Sequence, residues 1–133
     1  MRSLKVLVIE QQPARLLQLH QMLNACSVFG VRIAEDPARA QRCLERQGAA
    51  DIVVLGSQAS LAPAFLDRLA RGGHAQAVII QGHAGCANAR VAIRRARQAG
   101  LWVLGVLPLG QAICPLHAML CRFKTQCPEP LIA

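Results

Sequence analysis

Residues 5–13 read KVLVIEQQP, and this stretch decides the fold. Lys5–Ile9 is β-branched and almost wholly apolar, the pattern of a strand buried on both faces. Pro13 then suits the first turn of a helix, where its missing N–H would have no intrahelical partner anyway. Leu16, Leu17, His20 and Leu23 follow at helical spacing with Arg15, Gln18 and Gln21 outside, and Gly30 closes the unit.

Working outward, the same strand–turn–helix plan recurs. Val31–Ala34 is a short second strand, and Asp36-Pro37 is a capped helix start whose apolar stripe is Ala40, Cys43 and Leu44. Asp51–Leu55 (DIVVL) is the third strand, and Pro63–Arg71 a helix carrying Phe65, Leu66 and Leu69. Ala77–Ile80 is the fourth strand, and Asn88 is placed to cap a helix over Ala89–Ala99. Leu101–Val106 is the fifth strand, and Pro115–Phe123 the last helix. Strands alternating with helices require parallel crossovers. The expected fold is α/β, a single doubly wound five-stranded parallel sheet, flavodoxin-like (βα)5, strand order 2-1-3-4-5. Residues 1–124 are expected to form one domain, with 125–133 a tail or the start of a linker. Ligands of such sheets bind beyond the C-terminal strand ends. Function is therefore sought at Glu10–Pro13, Gly56–Ser60, Gln81–Cys86 and Val106–Gly110.

Composition narrows the class. The 133 residues are 53% hydrophobic, which excludes general disorder and suits one domain. No apolar stretch approaches the ~18 residues of a membrane span, and the strand-like start leaves no room for a secretory leader. The six cysteines (Cys26, Cys43, Cys86, Cys114, Cys121, Cys127) sit inside apolar patterns, so reduced thiols in the cytoplasm are expected. The net charge is +8. With three Phe, one Trp and no Tyr, base-stacking platforms are lacking, so an acidic protein is expected as partner rather than nucleic acid or membrane.

The runs VLVIEQQP (Val6–Pro13), DIVVLGSQ (Asp51–Gln58), AVIIQGHA (Ala77–Ala84) and GLWVLGVLPLG (Gly100–Gly110) resemble the receiver (CheY-like) domains of two-component response regulators. The resemblance covers about residues 4–123. The last run is similar to receivers that precede cyclic-di-GMP phosphodiesterase (EAL) domains. Receivers accept a phosphoryl group on an Asp at the end of the third strand. They hold Mg²⁺ with an acidic pair after the first strand, and use a hydroxyl after the fourth and a Lys after the fifth. Here the acceptor position matches Gly56, and the acidic pair matches Glu10 and Gln11. The hydroxyl position matches Gln81, and the Lys position Leu107 or Leu109. Asp51 stands five residues before Gly56, about 16 Å away along a strand, and cannot replace the acceptor. The resemblance thus implies a degenerate pseudo-receiver without phosphotransfer, catalytic residues, bound metal or cofactor.

Other patterns are weighed beside it. Gly82-His83-Ala84-Gly85 before a helix could cradle an anion but lacks a Walker lysine. Cys114, His117 and Cys121 share a helical face and could bind Zn²⁺ with Cys127 or His83. Alternatively the cysteines fill the core. His83 and Cys86 lack an orienting acid. Arg90, Arg94 and Arg97 project together (i, i+4, i+7) from a helix without acidic residues, Val91 and Ala92 pointing inward. The expected function is a phosphorylation-independent signalling and interaction module, not an enzyme. Contact would run through the fourth and fifth helices, to an acidic protein or a second copy. The competing expectation is a small-molecule or nucleotide sensor using an uncharged strand-edge pocket.

Overall fold

The computed structural model describes residues 4–56, 63–82, 87–108 and 113–126. The expectations made for Ser57, His83, Cys86, Leu109, Cys127 and the tail lie outside the described residues. In chain order the elements are β1 (Lys5–Ile9), α1 (Pro13–Ala25), β2 (Gly30–Ala34), α2 (Pro37–Gln47) and β3 (Ala50–Leu55). Then come α3 (Pro63–Arg71), β4 (Ala75–Gln81), α4 (Ala87–Gln98), β5 (Trp102–Leu107) and α5 (Ile113–Gln126). The strands form one sheet in the order β2-β1-β3-β4-β5, every pairing parallel. The expected fold is the observed one.

Strand alternation divides the core in two. Val6, Val8, Ile52, Val54, Ala77 and Ile79 face Leu19, Met22 and Leu23 of α1 and Leu116, Leu120 and Phe123 of α5. Leu7, Ile9, Val53, Leu55, Val78 and Ile80 face residues of α2, α3 and α4, among them Leu44, Leu66 and Ala92. Both faces of the central strands are thus dry, which is why Val6–Ile9, Ile52–Leu55 and Ala77–Ile80 are apolar at every position. Asp51, at the opposite end of β3 from Gly56, accepts a hydrogen bond from the Lys5 backbone N–H at 2.9 Å and ties β1 to β3.

Local signals set several helix boundaries. Asp36 caps α2 by accepting from the Arg39 N–H at 2.8 Å, with Pro37 in the first turn. Gly48 closes that helix at φ 92°, a conformation that glycine adopts without steric penalty. Other expectations need correction. Leu17 is 59% exposed, and the buried face of α1 is Leu19, Met22 and Leu23. At 3.6 residues per turn, Leu17 lies about 120° round from Leu23, too far to share its stripe. Asn88 does not cap α4 but lies within it. Cys114 and Cys121 are exposed rather than core-filling, because the α5 stripe is completed by Leu116, Met119, Leu120 and Phe123.

Phe123 is fully buried and stacks on Trp102, ring centroids 5.6 Å apart. Phe123→Ala is therefore expected to cost about 3–5 kcal/mol of stability. Urea unfolding followed by fluorescence of Trp102, the only Trp in the chain, measures the loss.

Candidate functional site

The C-terminal ends of the strands meet in one row. Ile9 pairs with Leu55 and Leu55 with Ile80, so the next residue of each strand aligns Glu10, Gly56 and Gln81. Gln81 pairs in turn with Leu107. Alternation from Val8, Val54 and Ile79 turns this row to the side covered by α1 and α5, where Leu107 is also buried. The row brings together Glu10, Gly56 and Gln81 of the expected site. Gln11 is exposed and stays outside it.

Glu10 prolongs β1 by one backbone bond, its N–H donating to the Ala34 carbonyl at 3.0 Å. Its side chain is only 6% exposed. Oε1 accepts from the Gln12 N–H at 3.1 Å, at the N-terminus of α1. Oε2 has no hydrogen-bond partner among the described residues. Gln81 is buried to the same degree, and its Oε1 is equally without a partner there. A buried acceptor left unsatisfied costs on the order of 1–3 kcal/mol. Gln41 Oε1 shares this condition, but Gln41 belongs to the other end of the sheet, where its Nε2 donates to Glu45 and lies 3.3 Å from His74 Nδ1. The row thus holds the carboxyl group of Glu10 beside the amide of Gln81.

Gly56 explains where that carboxylate goes. Its N–H donates to the Ile9 carbonyl at 2.8 Å, drawing the end of β3 tight against β1. A Cβ added at Gly56 would stand 2.6 Å from the same oxygen and 2.7 Å from Glu10 Oε2. Glycine is required here by space, not by backbone conformation, for Gly56 is not among the positive-φ glycines. The Glu10 carboxylate leans over Gly56, one strand nearer to β4.

Two further places hold sequence candidates. On α4, Ala89, Ala92 and Ala96 are buried and Arg90, Arg94 and Arg97 exposed, while Val91 is only half-buried. Arg95 turns elsewhere and lines a groove with Asp67, Gln98 and Ala99. On α5, Cys121 Sγ lies 3.6 Å from His117 Nε2. No group of three or more metal-ligating side chains gathers among the described residues, so Cys114, His117 and Cys121 do not make the zinc site their spacing allowed. Burial pushes the Cys26 thiol up from its ordinary value; Cys121 adds to the rise, Lys124 opposes it and Cys114 adds further.

Sequence comparison finds no matching family model and no matching curated protein. Structure comparison does find matches. The signal receiver domain of an HD domain-containing protein from Pseudomonas fluorescens Pf-5 superposes with TM-score 0.74 at 18% identity, over 94% of this chain and 97% of that one. A response regulator from Thermotoga maritima gives TM-score 0.73 at 13% identity, over 93% and 99%. The receiver domain of a modulated diguanylate cyclase from Desulfovibrio desulfuricans G20 gives 0.73 at 18%, over 94% and 96%. The chain has the fold of signal receiver domains. No helix among the described residues is long and apolar enough to cross a membrane.

Two outcomes follow from this geometry. Gly56→Ala should destabilise the protein by about 1–3 kcal/mol, because the methyl meets the Ile9 backbone oxygen, which cannot rotate away, as well as the Glu10 side chain; urea unfolding reads the change. The raised thiol leaves Cys26 with less thiolate at a given pH, so iodoacetamide at mildly alkaline pH should label the exposed Cys114 and Cys121 first. Peptide mass spectrometry over a time course checks the order.

Proposed function

We propose that this chain is a pseudo-receiver: a signalling module of receiver fold that works in the cytoplasm without accepting phosphate and acts by contact with an acidic protein. The observation that carries the first half is the crowding at Gly56. The position aligned with a receiver's acceptor Asp has no side chain, and the neighbouring backbone oxygen stands where a side chain would begin. One buried carboxylate, Glu10, is a poor anchor for Mg²⁺, which wants several oxygen ligands and holds its waters tightly. With Gln81 and Leu107 beside it, the row supplies neither a hydroxyl nor a cation for a phosphoryl group, and no set of acid, base and nucleophile that would make it an enzyme.

The second half rests on α4. Arg90, Arg94 and Arg97 share an exposed face on a helix whose sequence holds no Asp or Glu. Guanidinium groups form planar, paired hydrogen bonds with carboxylates and suit interfaces better than lysine. The contact would run through α4 and α5, which flank the edge strand β5 from opposite faces of the sheet, and a second copy of the chain is the alternative occupant.

Acetyl phosphate with Mg²⁺ should add no phosphoryl mass to the wild type, and none to Gly56→Asp, whose new side chain meets the Ile9 oxygen. A labile acyl phosphate on either protein contradicts the first half. For the second, a partner captured by pulldown should lose about tenfold in affinity on Arg94→Glu, with the fold intact by circular dichroism. Affinity falling log-linearly with salt on arbitrary duplexes would assign the face to nucleic acid instead. Unchanged binding after reversal of Arg90, Arg94 and Arg97 together would leave it a solvated face.

A further inference from the structure

We propose that the strand edge is a binding site for a primary ammonium group, held between Glu10 and Gln81 above Gly56. Two acceptor oxygens there, Glu10 Oε2 and Gln81 Oε1, belong to side chains each 6% exposed and have no hydrogen-bond partner among the described residues. They come from β1 and β4, the strands that flank β3, and aligned register puts both in the row of Gly56. Glycine leaves no side chain between them, and Glu10 Oε2 already lies over it. Adjacent strands are about 4.8 Å apart, so β1 and β4, on either side of β3, stand about 9.6 Å apart, a span that two long side chains can close around one small polar group above Gly56. What two buried acceptors need is a donor. Leu107, fully buried, ends the row on the β5 side and offers none.

The chemistry of the donor follows from what is already taken. Glu10 Oε1 already accepts from the Gln12 N–H, so the two parallel bonds of a guanidinium would have to share that oxygen, which disfavours them. A divalent cation would need more anionic oxygen than one Glu and one amide supply. An ammonium group is compact, carries three donors and one charge, and matches one carboxylate oxygen plus one amide oxygen with a donor to spare. Its carrier is either a free alkylamine or the side chain of a lysine in a partner protein. This site goes beyond the proposed contact face and is independent of it, since α4 contributes no residue to the row.

The test is a titration of the full ¹⁵N-labelled chain with n-butylammonium chloride, following the amides of Gln12, Gly56 and Gly82 at constant ionic strength. Tetramethylammonium, with the same charge but no N–H, is the control, and Nα-acetyl-lysine methylamide the second probe. Saturable shifts are expected with butylammonium and not with tetramethylammonium, weakened about tenfold or more in Glu10→Gln and several-fold in Gln81→Met. Tighter binding of the lysine derivative than of butylammonium assigns the carrier to a partner protein, and the reverse to a free amine; both support the site. Absence of saturable shifts with either amine would mean that the acceptors are served by buried water only, and equal shifts with tetramethylammonium or MgCl₂ would mean that the edge senses charge alone. Each of these overturns the proposal. Should Glu10→Gln fail to fold, the wild-type comparison of butylammonium with tetramethylammonium still decides. Arg94→Glu must bind butylammonium as the wild type does, which separates failure of this site from failure of the contact face.

Discussion

A parallel sheet covered by helices on both sides has no wet face along its strands. That constraint governs the distribution of chemistry in this chain. Every residue of β3 is buried, and β1 and β4 are buried at all but one position each. Polar side chains on the central strands are confined to their ends. Asp51 occupies the lower end, where it has a backbone N–H to satisfy it. Glu10 and Gln81 occupy the upper end, where each retains an acceptor atom with no partner among the described residues. The two ends are thus built differently: at the lower end the strand carboxylate, Asp51, is met by a backbone N–H, and at the upper end Glu10 Oε2 and Gln81 Oε1 have no partner among the described residues.

Gly56 determines the shape of the open end. The bond from its N–H to the Ile9 carbonyl extends the β1–β3 ladder one step past the strands proper. That step brings the backbones too close for a Cβ, and the space is shared with the Glu10 carboxylate. The bare backbone at 56 and the inward lean of Glu10 are therefore one arrangement, each accommodating the other. A side chain at position 56 needs a shift of its neighbours while β1 and β3 hold this spacing.

How much of this was legible in the sequence depends on what each residue's neighbours decide. Strand positions were legible because two-sided burial makes Val6–Ile9 and Ile52–Leu55 apolar throughout, a signal that needs no tertiary knowledge. The start of α2 was legible because Asp36 and Pro37 act on their own backbone. The buried face of α1 was not, since Leu16, Leu17, Leu19, Met22 and Leu23 crowd one helix and only the packing of α5 and β1 selects among them. Cys114 and Cys121 misled for a related reason, being apolar enough for a core whose places were already filled. At the site, the sequence named Glu10, Gly56 and Gln81, which the parallel register sets in one row. It could not show that Gly56 is imposed by a backbone oxygen, nor that Glu10 is buried with half its carboxylate unmet, because both are distances between separate strands.

The chain carries a net charge of +8, yet none of its described cations is placed in the row with Glu10. Arg90, Arg94 and Arg97 of α4 stand on an outer face, Arg95 lines the groove with Asp67, and Arg32, the one on a strand, donates to the carbonyls of Gln47 and Gly48 at the other end of the sheet. Long basic side chains remain where water solvates them, and bringing one inward would exact both desolvation and rotamer entropy. A buried carboxylate with no cation beside it among the described residues is a local conflict that an apolar residue at position 10 would remove. Such conflicts in natural sequences concentrate where function requires them. The strand edge, rather than the arginine face, is the place where this sequence accepts a cost in stability. A solvated face of arginines can persist without a role, whereas two orphaned acceptors in one row require a reason.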